Sequence, residues 1–247
     1  MVVATILDKA FVYSGKLGRG SPSFKGKYRV AWFLNQWFLR SGIDPIVDVP
    51  MNSGCLIRVD LRSRTEFYAY YTGYYARERI AELCSVMVSN NNSAQSNLFL
   101  DVGANVGFYG VAVAKQVPKS PDGVAKVLAF EPVQSNFKRL EENVELNSMR
   151  EMINCFPFGL SDHACDALIT LREDFQSGAT TGNAALKSGI ERDTGFETQS
   201  VRLEMLDGIA HKLPLEGKTI RAIKLDIEGH EDSFLRGGVG RYPDIAH

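Results

Sequence analysis

The stretch FLDVGANVGFYG, residues 99–110, constrains this chain more than any other. Leu98, Phe99, Leu100 and Val102 read as a strand, with Asp101 near its end. Gly103 and Gly107 then bracket Asn105, and Val106, Val111, Val113 and Ala114 continue as an apolar helical pattern. A strand, a glycine turn and a helix in this order set backbone N–H groups and a helix N-terminus against a ligand. The turn by itself does not choose between a dinucleotide, a phosphate and some other ligand.

The pattern on either side sets the fold class. Strands are predicted at 98–102, 126–130 and 153–160, with helices at about 105–117 and 135–147 between them, the latter with a buried stripe of Phe137, Leu140, Val144 and Leu146. Strand-like segments 167–171 and 199–206 enclose a Gly/Thr/Asn-rich loop, 176–189. A central strand is expected at 219–227 and a helix at 230–238. This alternation predicts an α/β protein with a doubly wound, mostly parallel, Rossmann-like sheet. Upstream lie an amphipathic helix (24–42), a strand (55–61), a helix (72–88) and the polar linker SNNNSAQSN (89–97). The expected organisation is an N-terminal α+β extension, 1–71, before a domain at 72–247. The last residues, YPDIAH, stand where a further strand would begin, so the domain is expected to lack its C-terminal strands.

Composition narrows the class. A formal net charge of -1 over 247 residues gives no support to bulk nucleic-acid binding. Cys55, Cys84, Cys155 and Cys165 form no C-x-x-C pair and no metal-type spacing with histidine, and are expected to be free buried thiols of a reducing compartment. No signal-peptide pattern and no apolar run of about 20 residues is present, so no transmembrane segment and a cytoplasmic location are expected.

Ligands of open parallel sheets bind at the carboxyl ends of the strands. Those ends offer Asp101 with Gly103–Gly107, then Glu131, then Asp162, then Asp226, Glu228 and His230. Glu131 stands where an acidic side chain accepts ribose hydroxyls, which favours a nucleoside without separating NAD from S-adenosylmethionine. Asn105 occupies the place where a pyrophosphate needs glycine for close backbone approach, so an amino-acid tail suits the turn better. Asp162 is either an acceptor for an adenine amino group or the cap of an Asx turn in SDHACD.

The segments FLDVGANVGFYG, VLAFEPVQSNFKRLEENVELN, FGLSD and IKLDIEGHEDSFLRGG, in this order, resemble the motif series of the FkbM-type S-adenosylmethionine-dependent methyltransferases. The resemblance covers roughly residues 72–246. It implies a class I methyltransferase sheet in which Asp101, Gly103, Asn105 and Gly107 line the methionine part of the cofactor, Glu131 holds the ribose and Asp162 faces the adenine. It also implies O-methylation of a small-molecule hydroxyl, on a sugar or secondary metabolite. Asp226, His230 and Glu228 are the candidates for deprotonating the acceptor, or two of them could hold a divalent cation that acidifies it. Capping of the next helix is the competing role for Glu228 and Glu231. Lys224 is assigned none. The loop SGATTGNAAL (177–186) and the pair Tyr74–Tyr75 could close the site. Two alternatives stay open: a nicotinamide-dependent oxidoreductase, and a non-catalytic module that binds a nucleoside or a partner on the same fold.

Overall fold

In the computed structural model, residues 14–20, 24–88, 96–117, 126–171, 175, 179, 184–186, 197–227 and 229–238 are described. Helix α1 (Lys27–Arg40) precedes an antiparallel hairpin of β1 (Ile46–Pro50) and β2 (Leu56–Asp60). Helices α2 (Arg64–Thr72) and α3 (Arg77–Val88) follow. The helix expected at 72–88 is α3 with a later start, because Thr72 ends α2 and Gly73, at φ 71°, closes that helix in a left-handed cap. The β1 strand and α2 had no clear sequence signal.

The main sheet is built from β3 (Ser96–Val102), β4 (Lys126–Phe130), β5 (Ile153–Phe156) and, late in the chain, β10 (Lys218–Leu225). Helices α4 (Phe108–Gln116) and α5 (Gln134–Leu146) are the crossovers after β3 and β4. The strand order is β10-β3-β4-β5, all parallel. Along β3, Leu98, Leu100 and Val102 pack into a cluster with Leu128, Phe130, Leu206, Leu213 and Phe234. Phe99, on the opposite face, joins Val111, Val127, Ala129 and Ile153. Both faces are covered, which is why these strands read as nearly unbroken apolar runs. The second of these clusters continues into the extension through Ile57, Val59 and Phe67, so the extension and one face of the sheet share a core.

Three expectations need correction. The strand predicted at 153–160 is broken by Pro157, which has no N–H for the ladder. Its second half, β6 (Gly159–Ser161), joins another sheet with β7 (Cys165–Leu171), β8 (Ala184–Leu186) and β9 (Glu197–Met205), in the order β6-β9-β7-β8. The strand expected to be central at 219–227 is, among the described residues, the edge strand β10, half-buried along its length. The predicted stripe on α5 holds for Leu140 and Val144, which are buried, and fails at its other two positions. Phe137 and Leu146 are half-exposed, whereas Asn136, Arg139 and Asn143 are buried. Asn136 donates to Glu131, Arg139 pairs with Glu66 and Glu142, and Asn143 serves the edge of β2, whose backbone groups need polar partners. Asn143 Oδ1 accepts from Arg58 N at 2.7 Å, Asn147 Oδ1 accepts from Leu56 N at 2.9 Å, and Asn143 Nδ2 donates to Val106 O at 2.8 Å.

The chain then closes the second face with α6 (Leu206–Ile209), a 3-10 turn and α7 (Glu231–Arg236), whose Phe234 is fully buried. The four cysteines are free, as expected, although only Cys55 is buried. Among the described residues no helix is long and apolar enough to cross a membrane.

Candidate functional site

From β3 the chain moves outward to β4 and β5 on one side, and returns to β10 on the other. The reversal leaves a crevice at the carboxyl ends of β3 and β10, the place where doubly wound sheets bind ligands. A partly open cavity of about 190 Å³ occupies it. Typical ligand pockets run to roughly 300–1,000 Å³, so this one has room for only part of a ligand of that class.

The turn after β3 forms one wall through Gly103, Ala104, Asn105 and Phe108. Gly103 N and Ala104 N both donate to Phe130 O, at 3.0 and 2.9 Å, tying the turn to the end of β4. Gly103 has φ +75°, and a Cβ there would stand 2.1 Å from Asp226 O. Its glycine is required by the neighbouring backbone at the end of β10. Gly107, outside the cavity wall, has φ +91° and would drive a Cβ to 2.7 Å from Leu140 Cδ1, so it fixes α4 against α5. Asn105 itself holds φ 52°, a left-handed conformation that asparagine tolerates better than most residues.

Glu131 follows β4 and lines the cavity while being almost wholly buried. Its Oε2 accepts from Asn105 N at 2.8 Å; its Oε1 accepts from Val133 N at 2.9 Å and from Asn136 Nδ2 at 3.4 Å. Burial pushes its carboxyl up to about 7, against the lowering effect of those N–H groups and of the Lys224 charge. These bonds leave one acceptor position on Oε2 unused.

Asp101 is fully buried beneath the site and does not line the cavity. Its Oδ2 accepts from Gly110 N at 2.9 Å, which anchors the first turn of α4. Lys224 Nζ stands 3.3 Å from Asp101 Oδ1 and 3.9 Å from Asp226 Oδ2, and donates to Gly103 O at 2.5 Å. Lys224 is therefore a cavity residue that sequence reasoning passed over. The signal was a lysine inside an apolar strand, one position out of phase with Ile223 and Leu225 and paired in register with Asp101.

Asp226 and His230 both reach the cavity. Asp226 is exposed, and its backbone N donates to Val102 O at 3.2 Å. His230 is half-buried, and desolvation lowers its pKa although the Asp162 charge opposes this. Its Nε2 lies 2.9 Å from Ser161 Oγ, which itself donates to Asp162 Oδ1 at 3.2 Å. With that hydroxyl proton committed to Asp162, Ser161 Oγ accepts from Nε2–H, and Nδ1 carries the free lone pair of the imidazole.

Asp162 does not line the cavity. Hydrogen bonds from His163 Nδ1 at 2.6 Å and from Arg236 at 3.1 and 3.0 Å engage its carboxylate and hold it down at about 2. Glu228 and most of the loop at 177–186 lie outside the described residues. Tyr75 lines the cavity with its ring stacked on Phe108 at 4.2 Å, whereas Tyr74 is exposed under Arg77. The extension contributes Ser63, Thr65 and Glu66, which no motif announced. Among the described residues no group of three or more His, Cys, Asp or Glu is arranged to hold a metal ion.

The Methyltransferase FkbM domain family matches residues 101–244, more than half of the chain. Methyltransferase sdnD of Sordaria araneosa is 28% identical over 162 residues, covering 58% of this chain and 61% of that protein. The AMB antimetabolite synthetase AmbE of Pseudomonas aeruginosa is 34% identical over 167 residues, covering 56% of this chain and 7% of the synthetase. This chain thus spans about three fifths of the first relative and a small part of the second. Among solved structures, the methyltransferase FkbM from Methylobacillus flagellatus is similar over 72% of this chain and 39% of its own, at 15% identity and a TM-score of 0.38.

Proposed function

The chain belongs to the FkbM methyltransferase family, and on that premise we propose that it transfers a methyl group from S-adenosylmethionine to a hydroxyl of a small molecule, a sugar or a secondary metabolite. The observation that carries the cofactor assignment is the buried Glu131 carboxylate, fixed by three N–H donors with an acceptor position left over. A ribose hydroxyl suits that position, and a charge-assisted bond of this kind contributes roughly 1.5–3 kcal/mol. The charges at the other end of the cavity suit a zwitterionic amino-acid tail, with Lys224 toward its carboxylate and Asp226 toward its ammonium. A dinucleotide would instead need room at Asn105 for two phosphates.

S-adenosylmethionine supplies an already activated methyl group, so the chain has to place the acceptor and take its proton. His230 is assigned the proton. A neutral imidazole binds one readily near neutral pH, and that of His230 is held by Ser161 at the cavity wall. Ser161 and Asp162 orient the ring through Nε2. Asp162 thus acts through His230 in this reading, and the adenine contact suggested by resemblance has no support from its position outside the cavity wall. The acceptor class rests on the resemblance to the FkbM-type family alone. Calorimetric titration with S-adenosylhomocysteine and with NAD tests the assignment. Binding of the first and not the second is expected, and the reverse would overturn it.

A further inference from the structure

Helix α1 buries one face and leaves another apolar face open. Ala31, Asn35 and Phe38 point into the core, as their spacing requires. Val30, Phe33, Leu34 and Trp37 lie at i, i+3, i+4 and i+7, a continuous stripe along the outer side. Phe33 is 71% exposed, Val30 54%, Trp37 50% and Leu34 39%, and Phe24 before the helix is 58% exposed. Single exposed apolar residues need no explanation, but a stripe of four on one helix marks a contact surface.

The charge around the stripe identifies what it meets. From Lys9 to Ile43 the sequence contains Lys9, Lys16, Arg19, Lys25, Lys27, Arg29 and Arg40, and no Asp or Glu. The whole chain carries a formal charge of -1, whereas this segment holds seven Lys and Arg and no acidic residue, a local excess of positive charge. Lys25, Arg29 and Arg40 are exposed beside the stripe. Aromatic and aliphatic side chains flanked by arginine and lysine are the chemistry of a helix that lies in the headgroup region of an anionic bilayer. Lys27 and Tyr28 also line a second cavity, which shares Thr65 and Tyr75 with the candidate site.

We propose that the outer face of α1 is a peripheral membrane-binding surface that docks on anionic lipid through Val30, Phe33, Leu34 and Trp37, with Arg29 and Arg40 at the headgroups. It inserts only to interfacial depth, since the helix spans 14 residues and its opposite face remains in the protein core.

Co-sedimentation of the full chain with vesicles tests this independently of any methyl transfer. With phosphatidylcholine containing about one third phosphatidylglycerol, the protein is expected to pellet with the vesicles; with phosphatidylcholine alone it stays in solution. Raising salt to about 1 M, where screening acts within about 3 Å, should release most of it. Phe33→Ser and the pair Arg29→Gln with Arg40→Gln change exposed side chains and leave the core intact. Each is expected to weaken partition on the anionic vesicles by about tenfold or more. The proposal is overturned if the wild-type chain ignores anionic vesicles, or if both variants bind them as well as it does. It is equally overturned if the wild type is a dimer without lipid and Phe33→Ser makes it a monomer, because a second copy then covers the stripe.

Discussion

Glu131 Oε2 accepts the Asn105 N–H at 2.8 Å, so the end of β4 and the turn after β3 are held to each other by one buried carboxylate. The residue that would take the ribose also shapes the turn beneath the rest of the cofactor. Its removal should therefore be felt twice. Glu131→Ala is expected to weaken S-adenosylhomocysteine binding by roughly 10- to 100-fold and to lower stability as well, because Asn105 N and Val133 N lose their acceptor. Calorimetry and urea unfolding measure the two effects. A folded variant with unchanged affinity removes Glu131 from the ribose site.

The same carboxyl makes affinity depend on pH. With its folded-state value raised from 4.5 to about 7, the protonated form is favoured in the fold. The stability it contributes is complete below its unfolded value of 4.5 and is lost as pH rises through about 7. Ligand binding has the opposite sign, since a hydroxyl donates best to the ionised group. Affinity for S-adenosylhomocysteine is expected to fall about tenfold from about pH 8 to about pH 6. Glu131→Gln should bind more weakly at the upper pH and show a flat profile between the two.

Much of this site was legible because it is local in sequence. A strand, a turn with two glycines and a helix specify β3, Gly103 and α4 within a dozen residues, and Glu131 follows directly from the end of β4. What depended on distant partners was not legible. Lys224 joins the cavity only because β10 pairs with β3 in the register that sets it beside Asp101. Asn143, on the polar buried face of α5, answers to β2, some 85 residues upstream. Ser63, Thr65 and Glu66 reach the cavity through the packing of the extension, which no spacing within those residues encodes. Asp101 was correctly placed at a strand end and still faces α4 beneath the cavity, because strand parity decides which side it serves.

The bridge between α5 and the hairpin gives a stability prediction. Asn143 serves Arg58 N and Val106 O at once and is completely buried. Asn143→Leu keeps the volume and leaves both backbone groups unpaired, which should cost about 2–4 kcal/mol. In urea the unfolding midpoint should drop with little change in slope. A midpoint equal to that of the wild type would show that the hairpin edge is satisfied without this side chain.

Gly103 gives a prediction of a different kind. Its Cβ position is taken by the Asp226 carbonyl, not by a ligand. Gly103→Ala should therefore separate the ends of β3 and β10 and lower stability and cofactor affinity together. A variant that loses affinity at full stability would place the ligand, instead of the backbone, against this residue.

The last prediction separates the two groups that could take the acceptor's proton. His230→Gln keeps a donor toward Ser161 but offers no basic nitrogen, so methyl transfer should slow by roughly 10²–10⁴-fold, while S-adenosylhomocysteine binding, which rests on Glu131 and the turn, changes little. Asp226→Asn should act mainly on cofactor affinity, because its carboxylate sits beside Lys224 at the end of the cavity assigned to the charged tail. The pH profile distinguishes the roles further. Burial favours the neutral imidazole, so His230 is ready as a base at neutral pH and loses that capacity only below its ordinary value of 6.5. The acid limb of turnover at saturating cofactor should fall there and vanish in His230→Gln, whereas the limb caused by Glu131 appears in cofactor affinity. Transfer of a labelled methyl group measures both. If His230→Gln turns over at the wild-type rate while Asp226→Asn is slowed at saturating cofactor, the carboxylate is the base and the Ser161–His230 pair is structural.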